Sequence, residues 1–575
     1  MTQSIRQRLT AGLKWLRHAL LTPDTWVWLY PLLLIVPNIA LAITEFNSIG
    51  ARIANILIPL GCWLIIAGLW RRQGVTILCE LPVAVLCAFQ IVLLYLYGEG
   101  IIAIDMFMNV FTTNPGEVGE VLGNLKLALV TGVLIYLPPI VIAIYFCVRK
   151  KYSTARQQRR ARYTGLILAA AGVMVMAVTL IAVPEYRPSR EIFPYNVTSN
   201  LVTSVTRTNE ALGYHLTAAS FSYEPTMTRS KDSTEVYVFV IGETSRAADW
   251  QLFGYERPTN PRLSVRRNIF AFGKTLSQIN TTHKSVPMLM SYLTSDNYGD
   301  NVARTRSVFS AFNDCGYQTA FVSNQRRNHS FIDFYGEEAR TAIFLTDRGG
   351  PHDDIDLARQ LEKTIAASPS HKIFVFLHAF GSHFEYRNRY PAEEAFFKPE
   401  HNSEASKLNR RQLVNAYDNT IRHTDLVLDS IISVLDRTRA LSAMIYVSDH
   451  GEDIFDDGRE RFLHSSPVPT YWQLHVPMLV WLSDKFIEQY PQKADALRAN
   501  ADSQVSSSRS VFHTLLDIAG INSPYFDSKA ALTAADYTEV PHTYLNDYNE
   551  SIPLRYSGLR DSDFVQLKNK GLKVD

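Results

Sequence analysis

The run EVYVFVI at residues 235–241, followed at once by Gly242, Glu243 and Thr244, decides the fold class. It is dense in β-branched and aromatic residues, and its apolar character does not alternate with a polar one, the signature of a strand covered on both faces. Runs of the same kind recur at 318–323 (QTAFVS), 372–378 (KIFVFLH), 443–448 (AMIYVS) and 476–482 (VPMLVWL). Helical patterns separate them at 355–366 and 406–436. Strands alternating with helices imply a mostly parallel sheet with helices on both faces, an α/β domain.

In an open parallel sheet the ligand site lies beyond the carboxyl ends of the strands. The residues there are polar and of one chemical kind: Glu243 after the first run, Asp449-His450-Gly451-Glu452 after the fourth, and His378 with His383 at and after the third. A carboxylate after a strand often only caps the next helix, and a lone histidine is usually structural. Two carboxylates and an imidazole at adjoining strand ends form a mixed oxygen and nitrogen donor set, which suits a four-coordinate divalent metal such as Zn²⁺.

Upstream the chain changes character. Residues 26–46, 51–70, 77–97, 125–147 and 163–183 are apolar runs of about 20 residues, the length of helix that crosses a hydrocarbon core of roughly 30 Å. Five spans are expected. Thirteen Lys and Arg residues precede span one or lie between spans two and three and spans four and five, whereas the loops 47–50 and 98–124 contain none. This asymmetry places the N-terminus in the cytoplasm and everything after about residue 184 outside. The first run is too long for a signal peptide and is followed directly by more spans. The basic loop 149–162 reads as a topology signal beside anionic lipid, not as a nucleic-acid site. Of five cysteines, only Cys315 lies in the outer portion, so no disulfide is available there. The expected organisation of the 575 residues is a transmembrane domain (1–184), a connector (185–232) and an extracytoplasmic catalytic domain (233–575).

Five segments, VFVIGETSRAADWQLFGYERPTNP (238–261), TTHKSVPMLMSYL (281–293), HAFGSHFEYRNRYP (378–391), NAYDNTIRHTD (415–425) and YVSDHGED (446–453), resemble the phosphoethanolamine transferases of Gram-negative inner membranes. That family modifies lipid A, lipopolysaccharide core or periplasmic glucans and has an alkaline phosphatase/sulfatase-like fold. The resemblance implies Zn²⁺ held by Glu243, Thr282, Asp449 and His450, with Thr282 as nucleophile, identified by the T-x-x-S-V-P spacing with Thr281 adjacent. It further implies substrate contacts from His383 and His464 and, in the loop 98–124, from Asn109, Thr113, Asn114 and Glu117. A metal-bound threonine hydroxyl is deprotonated more readily and can attack phosphorus. The implied reaction is ping-pong: Thr282 takes phosphoethanolamine from phosphatidylethanolamine and passes it to a periplasmic glycolipid or glycan, and the expected enzyme is a monomer in the inner membrane.

Two departures narrow this. Lipid A modifying members carry cysteines where this chain has Asn280 and Met288, which shifts weight toward acceptors in the core or among glucans. A sulfatase would need Cys or Ser in a C/S-x-P-x-R motif, and Cys315 is followed by Gly-Tyr-Gln-Thr. The alternatives are a phosphoglycerol transferase or phosphodiesterase of the same superfamily, and a silent membrane scaffold.

Overall fold

The computed structural model describes residues 18–45, 48–98, 100–112, 126–229, 233–349, 352–400, 406–465 and 467–574. The contacts divide the chain into two units, one formed by residues up to Ala103 and Leu125–Thr203, the other by the segment beginning at Ile104 together with Ser204–Asp575.

The first unit is helical. Among the described residues, four helices are long and apolar enough to cross a membrane: Pro23–Thr44, Ile49–Ala67, Val130–Val148 and Ala155–Ala182. The expected third span is instead a bent pair, Gln73–Cys79 and Leu81–Leu94, meeting at 55°, and it makes a fifth span only if the pair is counted as one. The break follows from Glu80-Leu81-Pro82, because proline lacks the N–H that would continue the helical ladder and its ring clashes with the preceding turn. The helices Ile49–Ala67 and Ala155–Ala182 approach through glycine: a Cβ on Gly165 would lie 2.6 Å from the Gly61 carbonyl oxygen. Small residues at such a crossing let backbones pack closely where no hydrophobic effect drives association.

The second unit is built on a seven-stranded sheet: β1 (Glu235–Gly242), β2 (Ile269–Ala271), β3 (Gln318–Ser323), β4 (Thr341–Phe344), β5 (Lys372–His378), β6 (Leu441–Ser448) and β7 (Met478–Leu482), in the order β2-β7-β6-β1-β5-β3-β4. β6, β1, β5, β3 and β4 run parallel, while β7 runs against both of its neighbours. All five expected strands form. β1 is central and buried along its whole length, and its side chains divide between two cores. Tyr237, Phe239 and Ile241 join Phe309, Phe312, Phe512 and Leu515 on one face. Val236, Val238 and Val240 join Leu357, Leu361, Leu428 and Ile431 on the other. The second face is covered by the helices Ile355–Ala367 and Arg410–Thr438, the latter entered through a 3₁₀ turn at Lys407–Asn409.

Phe376 on β5 packs edge-on against Phe239, with ring centroids 5.0 Å apart, and stacks with Phe321. Phe376→Ala is expected to destabilise the domain by about 3–5 kcal/mol. Leu408→Ala, at a side chain that is 93% exposed, should change stability by less than about 0.5 kcal/mol. Denaturant unfolding of the full chain in detergent compares the two; equal losses would contradict this placement of the core.

Candidate active site

Because β1, β5 and β6 run parallel and adjacent, their carboxyl ends open side by side, with Gly242 paired to Ser448 and Ile241 to His378. The residues that follow converge. Glu243 and Asp449 leave neighbouring strands, and Thr244 is held at φ 61°, a left-handed conformation uncommon for a non-glycine residue. This conformation aims the Thr244 N–H at Asp449 Oδ1 (3.1 Å), while the Thr244 hydroxyl donates to Glu243 Oε1 (2.9 Å).

Thr282 enters from outside the sheet as the first residue of the helix Thr282–Leu289, whose N-cap is Thr281. Its Oγ1 donates to Glu243 Oε1 at 3.0 Å and lies 3.0 Å from His450 Nε2. His450 Nε2 is in turn 3.2 Å from Asp449 Oδ2 and 3.5 Å from Glu243 Oε1. Of the two adjacent threonines, Thr282 directs its hydroxyl at these groups, whereas Thr281 Oγ1 is buried without a hydrogen-bond partner among the described residues. The serine of the same motif braces the site: Ser285 Oγ donates to the Asp449 carbonyl (2.7 Å), as does Ser277 Oγ (2.7 Å), so the segment around Thr282 and the β6 end are fastened together.

The tautomer of His450 follows from its other nitrogen. Nδ1 is 2.9 Å from the Gly451 carbonyl oxygen, which can only accept, so the proton sits on Nδ1 and Nε2 presents a lone pair. One hydroxyl proton therefore faces Glu243 Oε1, His450 Nε2 and, close by, Asp449 Oδ2, a fully buried carboxylate oxygen with no hydrogen-bond partner among the described residues. Acceptors exceed donors, an arrangement relieved by a bound cation or by protons held on the carboxylates. The residues thus fit a divalent metal. Glu243, His450 and His464 also offer ligand atoms within 4.8 Å of one another, which brings His464 to the same centre.

The rest of the pocket orients these groups. Glu243 Oε2 accepts from Gln325 Nε2 (3.1 Å), which also donates to the Ala379 carbonyl. Gly381, at φ 57°, lets the HAFGSH loop lie against Glu243, since a Cβ there would come within 2.6 Å of the Glu243 carbonyl oxygen. Glu452 accepts from the buried Tyr386 hydroxyl (2.8 Å) and sits 3.4 Å from His464 Nδ1. His383 holds its Nδ1 proton on the Phe384 carbonyl (2.8 Å), and its ring centroid is 6.2 Å from that of His464. Burial pushes Asp449 up to about 7 and Glu452 to about 8, raises Glu243, and depresses His464 to about 3 and His383 below its usual value. Both outer histidines are therefore neutral in the free site.

Of the residues singled out from sequence, Glu243, Thr282, Asp449 and His450 meet, with His464 and His383 beside them. His378 does not join the cluster; it ends β5 with Nδ1 3.3 Å from Ser323 Oγ. Asn109 lies on the helix Ile104–Thr112 with its side chain outside the described residues, as are Thr113, Asn114 and Glu117 entirely. Sequence reasoning misses Gln325 and Tyr386, and it marks Glu452 only as part of the strand-end motif. Gln325 follows β3, a strand end that the parallel-sheet rule would have flagged.

The sulfatase family matches residues 235–521. The chain carries a sulfatase-family domain. Its curated relatives are phosphoethanolamine transferases: it is 31% identical over 321 residues to the Kdo(2)-lipid A phosphoethanolamine 7''-transferase of Escherichia coli K12, covering 53% of this chain and 55% of that one. It is 28% identical over 379 residues to phosphoethanolamine transferase EptA of Escherichia coli O157:H7, covering 62% and 68%. The match therefore spans little more than half the length of the first of these relatives. In fold, the chain resembles the integral membrane lipooligosaccharide phosphoethanolamine transferase A of Neisseria meningitidis, with TM-score 0.68, 22% identity and coverage of 88% and 98%. The sulfatase-family domain resembles the zinc complex of the Escherichia coli EptC periplasmic domain, with TM-score 0.51, 21% identity and coverage of 57% and 94%.

With cations chelated, the folded state holds the Asp449 proton more tightly than the unfolded chain. Its contribution to stability then falls as pH rises from the unfolded value of about 4 toward about 7. Asp449→Asn is therefore expected to raise the melting temperature of the chelated full chain relative to wild type at pH 8, with the gain shrinking toward pH 5. A gain that is the same at both pH values, or a loss at pH 8, would contradict this account of the carboxylate.

Proposed function

We propose that this chain transfers phosphoethanolamine from phosphatidylethanolamine to a periplasmic glycoconjugate, with Thr282 as the nucleophile. The observation that carries the reading is the convergence of three buried acceptors on the Thr282 hydroxyl. The names of the curated relatives supply the substrate class, and the apolar helices put the enzyme in the membrane that holds the lipid donor.

Zn²⁺ is the ion proposed, held by Glu243, Asp449, His450 and Thr282, with His464 within reach of the same centre. When bound, it lowers the pKa of a coordinated hydroxyl and offsets charge on phosphoryl oxygens. In the first half-reaction a bond forms between Thr282 Oγ1 and phosphorus, and the bond from phosphorus to the diacylglycerol oxygen breaks. The proton lost by Thr282 passes to the leaving oxygen, and the relay is assigned to the neutral imidazoles of His383 and His464, whose basicity the negative charge of a bound phosphate would raise. In the second half-reaction an acceptor oxygen displaces Thr282 and the proton path reverses. Asn109, Thr113, Asn114 and Glu117 are proposed to hold the ethanolammonium, a role suited to carboxylate and carbonyl oxygens. All five cysteines are free, consistent with an acceptor in the core or among glucans.

Thr282→Ala is expected to lower transfer by about 10³-fold or more, since loss of a nucleophile removes the covalent route. Intact mass measurement and peptide mapping after incubation with phosphatidylethanolamine should find phosphoethanolamine on Thr282 of the wild type. Glycerophosphate there, or hydrolysis with no adduct, would favour the phosphoglycerol transferase or phosphodiesterase reading.

A further inference from the structure

The C-terminal hairpin grips the nucleophile segment from both sides. Its strands, Thr543–Leu545 and Ser551–Pro553, pair antiparallel. Upstream of Thr282, the Leu545 N–H donates to the Gln278 carbonyl (2.8 Å) and the Tyr544 hydroxyl to Asn280 Oδ1 (2.9 Å), while Asn280 Nδ2 donates to Gln473 Oε1 (2.7 Å). Asn280 is one of the positions where disulfide-bearing relatives are expected to carry cysteine, so a polar clamp stands at that point.

Downstream of Thr282 the hairpin tip meets a buried charge cluster. Asp547 accepts the backbone N–H groups of Ile104 (2.7 Å) and Asp105 (2.9 Å), the first residues of the helix Ile104–Thr112. Asp105 forms an ion pair with Lys284 (2.7 Å), lies 3.3 Å from His283 Nε2, and has Arg207 at 4.0 Å. The Asp547 carbonyl accepts from Arg207 Nη1 at 2.9 Å. Lys284 and Asp105 are 2% and 4% exposed. Burial alone would raise the Asp105 carboxyl, but Lys284 and His283 hold it well below the usual carboxylate range. A buried pair of this kind is a poor source of net stability but a stringent fixer of geometry, because either partner alone would be left uncompensated.

We propose that the hairpin Thr543–Pro553, acting through Asp547, is a positioning element that sets the helix carrying Asn109 at a fixed separation from the helix that begins at Thr282. Asn109 follows Asp105 by about one helical turn, so whatever fixes Asp105 fixes the approach of the head-group segment to the nucleophile. Asp547 touches neither substrate nor reacting atoms; it acts through the Ile104 and Asp105 amides and through the Asp105–Lys284 pair. The inference rests on the proposed donor reaction, and it adds a requirement that the reaction alone does not impose.

The test uses the full chain in phosphatidylethanolamine-containing nanodiscs. Hydrogen exchange at the Ile104 and Asp105 amides reports the anchor independently of activity. Asp547→Ala is expected to abolish their protection and to raise KM for phosphatidylethanolamine about tenfold while kcat changes less than about threefold, the pattern of lost positioning. Lys284→Met should give the same split, and the double variant should be no worse than the more impaired single one. Asp547→Asn, which keeps the size and one acceptor oxygen, should fall between wild type and Asp547→Ala and covers the case in which alanine impairs folding. Retained amide protection in Asp547→Ala would overturn the anchor, and lost protection with an unchanged KM would overturn its role in donor positioning. A wild type that consumes no phosphatidylethanolamine would instead overturn the donor reaction, with the exchange data still deciding the anchor.

Discussion

An excess of buried acceptors over hydroxyl protons around Thr282 is the constraint on which this structure turns. Glu243 Oε1 and His450 Nε2 each lie 3.0 Å from Thr282 Oγ1, and Asp449 Oδ2 is buried without a partner among the described residues. In a low-dielectric site this excess of lone pairs and negative charge is unfavourable unless a cation is drawn in. Burial lifts the carboxyls of Glu243, Asp449 and Glu452 and keeps His464 neutral. In the proposed function this imbalance supplies binding energy for a metal, which would in turn make an ordinary threonine reactive.

The sheet makes this imbalance sustainable. β1, β5 and β6 are buried, parallel and in register, so three loops leave one edge together and little backbone freedom remains to relax the cluster. Thr244 in a left-handed conformation and Gly381 pressed against Glu243 show how tightly those loops are drawn in. Ser277 and Ser285 tie the segment around Thr282 to the Asp449 carbonyl, and the C-terminal hairpin, through Asp547, ties it to the helix that begins at Ile104, 443 residues before Asp547 in sequence.

Much of this is legible in the sequence where the signal is local. Continuous β-branched and aromatic runs mark β1, β3, β5, β6 and β7, and polar residues directly after them mark Glu243, Asp449 and His450. The short strands β2 and β4 escape such reading, because three or four residues carry too little pattern to distinguish an edge strand from a loop. The antiparallel direction of β7 is a property of its connection, and its composition matches that of the parallel strands of the sheet. The helix break at Glu80 is hidden because hydropathy averages over a window and is insensitive to one proline at position 82. Gln325, Tyr386 and Asp547 act through pairings remote in sequence, which no spacing rule encodes, whereas Thr282 is distinguished from Thr281 by a motif and then by geometry.

The proposed reaction requires a cation at the convergence of Glu243, Thr282, Asp449 and His450. The most direct measurement is an anomalous difference map at the zinc edge from crystals of the zinc-loaded full chain. The account predicts a strong peak about 2.0–2.2 Å from Thr282 Oγ1, His450 Nε2 and an oxygen of each carboxylate. A map with no peak there, or with its strongest peak at a site that leaves Thr282 uncoordinated, would contradict it.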